Sequence, residues 1–227
     1  MICLKNSEQN FKSRSFVVKR ILEELGLDYS MLKPIEKGWS QDKKYYFCDK
    51  NGKEILLRLS HISNYDRKKK EYQIMQEISK LNINMSYPLD FGKNEEREKI
   101  FLLQSWVAGE ELSERILDMK ESEQYDLGIS VGQILKKMHS LTAPCSSDEW
   151  EERMIERFTR HYEKYKEAGI KIENDEFALK YIKDNFSLLK NRPQVLQHGD
   201  FHINNFIFTE NNSLGIIDFN RCDYGDP

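Results

Sequence analysis

The sequence predicts an α+β chain, with a small antiparallel sheet and one packing helix over residues 1 to 104 and a mainly helical remainder. Three observations carry that expectation. Two short apolar runs, Tyr45-Tyr46-Phe47 and Ile55 to Leu59, flank Asn51-Gly52, the strongest short-range hairpin signal. Leu127, Val131, Ile134, Met138 and Leu141 then recur at the i, i+4, i+7, i+11, i+14 positions of one helical face. Finally, Val195 to Asp218 sets His198, Asp200, Asn205 and Asp218 between three short apolar runs. Polar groups so placed fall at strand ends and on loops, where a rigid scaffold presents them to a ligand.

Taken in order, residues 13 to 25 carry Val17, Ile21 and Leu25 at helical spacing, ended by Gly26. Strand patterning runs from Ile35 to Ser60, and Gly38-Trp39-Ser40-Gln41-Asp42 precedes the first hairpin strand. Arg58 points from the middle of Leu-Leu-Arg-Leu onto a partly buried face and needs an anionic partner there. A helical pattern over 65 to 81 supplies one, because Glu71 shares its apolar face with Ile74 and Ile78. Arg67-Lys68-Lys69-Lys70 reads as the solvated face of that helix. Glu98 to Trp106 forms a further strand, meeting Val107-Ala108-Gly109-Glu110. Beyond it, the long helix from Leu127 ends before Ala143-Pro144. Met154, Phe158, His161 and Tyr165 trace a second helix closed by Gly169, and Ala178, Ile182, Phe186 and Leu189 trace a third. The Asn211-Asn212 turn folds the second and third apolar runs of the loop region into a hairpin that brings Asn205 and Asp218 to one end.

Composition narrows the function classes. At 227 residues and 27.0 kDa the chain suits one large domain or two lobes sharing a cleft. Its 35 basic and 38 acidic residues leave a net charge of −3, without the basic excess of a nucleic-acid-binding protein. With a mean hydropathy of −0.72, no run approaches the roughly 20 apolar residues that cross a bilayer. The N-terminus lacks a signal-peptide pattern, so the expected location is the cytoplasm, with no membrane partner. Cys3, Cys48, Cys145 and Cys222 are scattered, with no paired spacing for a disulfide framework or a zinc site.

The loop region suits phosphoryl transfer, in which one carboxylate orients or deprotonates an acceptor hydroxyl while a carboxylate and an amide oxygen hold magnesium. Asp200 fits the first role; Asp218 and Asn205 fit the second. Zinc is an alternative, since His198, Asp200 and His202 alternate in HGDFH, but it leaves Asn205 and the Ile-Ile-Asp-Phe segment unexplained.

His198-Gly199-Asp200 followed by Asn205, then Ile216-Ile217-Asp218-Phe219, then Gly225-Asp226-Pro227, resembles the aminoglycoside phosphotransferase family, within the choline-kinase and protein-kinase-like group. The resemblance runs from about residue 15 to the end. It implies a two-lobe, protein-kinase-like fold: a nucleotide-binding N-lobe at 1–104, a hinge at 105–110 and a helical C-lobe at 111–227. By the same resemblance Asp200 is the catalytic base, Asn205 and Asp218 are the Mg2+ ligands, and His198 braces the loop. Gly38 and Ser40 fall in the turn that covers the phosphates of ATP or GTP, Arg58 and Glu71 hold the α- and β-phosphates, and Ser105 and Val107 lie against the base. Arg58 stands where most such kinases carry lysine, and a planar fork meets phosphate differently from a compact ammonium.

The implied acceptor is a small molecule's hydroxyl, an aminoglycoside first, with choline, homoserine, a sugar or a macrolide as alternatives. Related enzymes continue past Gly-Asp-Pro through further helices, which leaves a truncated, nucleotide-binding but non-catalytic form as another alternative. Nothing in the pattern predicts an oligomeric state.

Overall fold

A computed structural model describes residues 32–38, 41–96, 98–144 and 148–227. The helix expected at 13–25, and Ser40, lie outside them. In chain order the elements are β1 (Lys33–Ile35), β2 (Lys43–Cys48), β3 (Glu54–His61), α1 (Tyr65–Ser79), β4 (Pro88–Asn94), β5 (Lys99–Ser105), β6 (Glu110–Glu111) and α2 (Leu112–Arg115). They continue with α3 (Glu121–Met138), α4 (Asp148–Glu167), α5 (Asp175–Asp184), β7 (Val195–Gln197), β8 (Phe206–Phe208), β9 (Leu214–Ile216) and β10 (Asp223–Gly225). The chain separates into two compact units, residues 1–126 with 200–221, and residues 127–199 with 222–227.

The first unit is built on an antiparallel sheet in the order β1-β2-β3-β5-β4. The expected hairpin forms with Phe47 opposite Ile55 and Lys44 opposite Arg58. Its turn is closed by Gly52 N–H donating to Asp49 C=O at 2.9 Å, with Gly52 at φ +78°, while the Asp49 carboxylate accepts from Asn51 N–H and Lys53 N–H at 2.8 Å each. Strand alternation sends Ile55, Leu57 and Leu59 to one face, where they pack with Phe47 and Leu103. Arg58 and Ser60 therefore go to the other face with Ile100, Leu102 and Gln104 of β5, and α1 covers it. Ile74, Met75 and Ile78 of α1 are buried there, each contributing on the order of 2 kcal/mol, and Gln104 Nε2 donates to Met75 Sδ at 3.2 Å.

A second small sheet in this unit, β6-β8-β9, carries the loop region. β8 and β9 pair antiparallel around a turn with Asn212 at φ +55°, as the Asn-Asn signal predicts. β9 is anchored on its other side to the segment after α1: Ile216 N–H donates to Asn84 C=O, and Ser86 N–H to Ile216 C=O, both at 3.0 Å.

In the second unit, β7 pairs with β10, and most of α3 together with α4 and α5 makes up the helical part. Leu141 corrects the expected length of the long helix. α3 ends at Met138, and the chain turns to pair with β7, where Leu196 N–H donates to Leu141 C=O at 2.8 Å. On α4, His161 is exposed and Tyr162 takes the inward place expected of it. The third helix splits: α5 ends at Asp184, a 3₁₀ turn covers Phe186–Leu189, and Phe186 packs edge-on to Phe158 of α4 at 5.4 Å. Arg153 of α4 donates to Tyr224 C=O at 2.8 Å and pairs with Asp223 at 3.0 Å, tying the helix to β10. Among the described residues no helix is long and apolar enough to cross a membrane.

Candidate active site

The β8–β9 hairpin does what its register requires. Phe206 lies opposite Ile216, so the residues flanking them meet: Ile217 N–H donates to Asn205 C=O at 3.0 Å. Asn205 and Asp218 thereby share one end of the hairpin. Asn205 is buried, and its amide nitrogen donates to Asp200 C=O at 2.8 Å, which leaves Oδ1 as the atom free to act as a ligand. Asp218 holds φ +63°, a backbone state uncommon for a residue with a side chain. Fully buried Phe219 anchors it from behind. A buried amide oxygen and a partly exposed carboxylate are hard donors of the kind magnesium takes from proteins, which usually supply only one or two carboxylates, so the pair fits such an ion.

Asp200 sits on the loop before this hairpin, 30% exposed at its side chain. Two cationic or potentially cationic groups face its carboxylate: His202 Nε2 at 3.4 Å and Arg221 at 3.6 Å. His202 has a structural task, since its Nδ1 accepts from Asn204 N–H at 3.2 Å and caps the short 3₁₀ turn Ile203–Asn205. Among the described residues no cluster of three or more His, Cys, Asp or Glu side chains could hold a metal, so the zinc alternative finds no ligand set. His198, in the second unit, is 1% exposed at the end of β7.

Arg58 finds its anions. Its guanidinium lies 3.4 Å from Glu71, as the strand and helix patterns predict, 2.8 Å from Asp42 and 3.4 Å from Asp218. Lys68 closes the group by pairing with Asp42 at 2.7 Å and Glu71 at 2.8 Å. Asp42, Arg58, Lys68 and Glu71 thus form a ring of alternating sign, every side chain at most 6% exposed, with Asp218 attached at its open edge. Lys68 contradicts the reading of Arg67 to Lys70 as solvated: it is 2% exposed, while Arg67, Lys69 and Lys70 face outward. Burial alone would raise the pKa of Asp42, but the charges of Arg58 and Lys68 outweigh it and hold that carboxyl down at about 2. Burial likewise works against Arg58, and the carboxylates of Glu71, Asp42 and Asp218 reverse it, raising its pKa.

Sequence reasoning missed Asp42 and Lys68 as site residues. For Lys68 a signal existed in its spacing, because it stands three residues before Glu71, one helical turn away on the inward face. For Asp42 there was none, since its partners lie 16 and 26 residues away. Lys44 is a third cation on this face. It lies directly opposite Arg58, and its ammonium donates to Lys37 C=O at 2.8 Å, beside Gly38.

At the end of β5, Ser105 is held firmly. Its N–H donates to Tyr87 C=O at 2.8 Å, its C=O accepts from Ser86 Oγ at 2.7 Å, and its Oγ accepts from Tyr87 N–H at 2.8 Å. Val107 packs against β9 at Gly215, where a Cβ would come within 2.4 Å of the valine methyl.

The model of the phosphotransferase enzyme family matches residues 32–227, the whole of the sheet, the buried charges and the loop region. The chain belongs to that family. No curated protein matches it in sequence. Solved structures of similar fold include the streptomycin–ATP ternary complex of APH(2")-IIa, 20% identical, covering 93% of this chain and 73% of the other at a TM-score of 0.65. The macrolide 2'-phosphotransferase MphH of Brachybacterium faecium is 15% identical, covering 92% and 74% at 0.60. Amicoumacin kinase hAmiN, with AMP-PNP, Ca2+ and Ami, is 15% identical, covering 95% and 67% at 0.59. At these identities the likeness is one of fold: α+β and protein-kinase-like, as the family's motifs imply.

Proposed function

We propose that this family member transfers the γ-phosphoryl group of a nucleoside triphosphate to a hydroxyl of a small molecule, an aminoglycoside first among the candidates. The observation that carries the reading is the meeting of Asn205 and Asp218 at one hairpin end, with Asp218 paired to a buried Arg58 and Asp200 on the adjoining loop.

In this reading Asp200 orients the acceptor hydroxyl and takes its proton as the oxygen bonds to the γ-phosphorus, and the bond from that phosphorus to the bridging oxygen breaks to release nucleoside diphosphate. Asn205 Oδ1 and Asp218 hold Mg2+, which when bound neutralises charge on the phosphates. Arg58, kept in place by Glu71 and Asp42, faces the α- and β-phosphates. His198, buried at the end of β7, braces the strand that leads into the loop, Ser105 and Val107 border the base, and the turn with Gly38 and Ser40 covers the phosphates. AMP-PNP and Ca2+ bound to amicoumacin kinase hAmiN, and ATP in the streptomycin ternary complex, support the donor half, and the streptomycin of that complex supports an aminoglycoside acceptor.

The test is mass spectrometry of aminoglycosides, macrolides, choline, homoserine and sugars after incubation with the protein, Mg2+ and ATP or GTP. A phosphoryl gain on one class, with a rate lowered roughly 100- to 10,000-fold by Asp200→Ala, is expected. A gain untouched by that substitution would remove Asp200 from the mechanism, and absence of nucleotide binding would end the phosphotransferase reading.

A further inference from the structure

We propose that Lys44 is a second phosphate-binding cation of the nucleotide site, reaching the triphosphate beside Arg58. The proposal rests on the phosphotransferase reading and goes beyond it, because neither the motifs nor the expected strand-and-helix pair includes this residue.

The first observation is the register. Lys44 on β2 lies directly opposite Arg58 on β3, so the two side chains leave the sheet on the same face. Like charges in directly opposed antiparallel positions destabilise a sheet, and such a pair persists where an anion between them compensates. Asp42 and Asp218 attract the Lys44 ammonium but form no ion pair with it, and the ring's two carboxylates are each paired with both Arg58 and Lys68.

The second observation is how little the ammonium holds. Among the described residues its single hydrogen-bond partner is the Lys37 carbonyl at 2.8 Å, and no carboxylate lies within 4.0 Å. An ammonium carries three donors, so two are unspent on a partly buried group. Lys68 differs in both respects, since it is fully buried behind Arg58 and saturated by two carboxylates. Lys37, the other cation of this turn, is spent on Glu111 at 2.5 Å.

The third is the turn itself. Gly38 adopts φ +107°, and a Cβ there would stand 2.7 Å from the Lys44 ammonium, so the glycine makes room for that charge next to the turn. The electrostatics agree: burial first and Arg58 second lower the pKa of Lys44, while Asp218 and Asp42 oppose them, so the ammonium and the Asp218 end of the site feel one another. An anion bridging Lys44 and Arg58 would relieve the repulsion and use the free donors. In a site of this kind the anionic oxygens available are those of the nucleotide's phosphates.

Isothermal titration calorimetry of Mg·AMP-PNP and of adenosine with the unaltered protein, Lys44→Met and Lys44→Arg separates the possibilities. Lys44→Met is expected to weaken Mg·AMP-PNP roughly ten- to a hundredfold while leaving adenosine within about twofold, and Lys44→Arg to restore most of the loss. Equal Mg·AMP-PNP affinity in Lys44→Met would overturn the proposal. So would a parallel loss of adenosine affinity, which marks a merely structural residue. If the unaltered protein binds adenosine but gains nothing from the phosphates, the phosphotransferase reading falls along with this one.

Discussion

At Asp42 one carboxylate oxygen accepts from both Arg58 and Lys68, and the other accepts from Ser60 at 2.5 Å. A carboxyl held at about 2, below its ordinary 3.8, binds fewer protons folded than unfolded. Its contribution to stability is therefore complete above the unfolded value and is lost as pH falls through about 4 towards 2. Urea midpoints measured from pH 6 to pH 2 should drop over that window, and Asp42→Asn, already weakened at pH 6, should show a flatter profile. Lys68→Met leaves two buried carboxylates sharing one guanidinium, and breaking such a buried pair costs about 3–5 kcal/mol. Exposed Lys69→Met should cost less than about 0.5 kcal/mol. Equal unfolding free energies for the two variants would show that the ring contributes no stability.

Among the elements, the two hairpins work differently. The β2–β3 hairpin turns through Gly52, whose φ of +78° an L side chain adopts only with strain, yet nothing lies within 4 Å of where its Cβ would be. Gly52→Ala should thus cost about 1 kcal/mol in denaturant unfolding and leave nucleotide affinity unchanged. Gly38→Ala, at a φ of +107° still less open to an L side chain, also displaces the flexible end of Lys44, so it should weaken Mg·AMP-PNP as well. Calorimetry that finds the two alanine variants equal in nucleotide affinity would argue against any link between the Gly38 turn and the phosphates. The β8–β9 hairpin is a positioning device: a three-residue strand on each side suffices because β9 is also held by Asn84 and Ser86.

For the molecule as a whole, the second unit leaves much apolar surface in water. Ile170, Ile172, Phe177, Tyr181 and Leu188 are each at least 60% exposed, gathered on and around α5. A group of large exposed apolar side chains drives association. Sedimentation velocity should show concentration-dependent self-association, and Phe177→Glu with Tyr181→Glu should suppress it without altering nucleotide affinity. The low net charge of −3 opposes association only weakly.

Much of this was legible in the chain, because it depends on neighbours in sequence. Alternation placed Ile55, Leu57 and Leu59 on one face and Arg58 on the other; helical spacing set Glu71 inward; turn residues folded both hairpins and so delivered Asn205 to Asp218. Long-range pairing was not legible. That Lys68 is buried, that Asp42 is its partner, that Lys44 faces Arg58, and that Leu141 leaves its helix for β7 are matters of which segments meet. A charged side chain carries no mark of its burial, since the cost of removing it from water is met by partners that only the assembled sheet and helix bring within reach. Local pattern determined the elements and the meeting of Asn205 with Asp218, and the tertiary structure decided which charges are buried together.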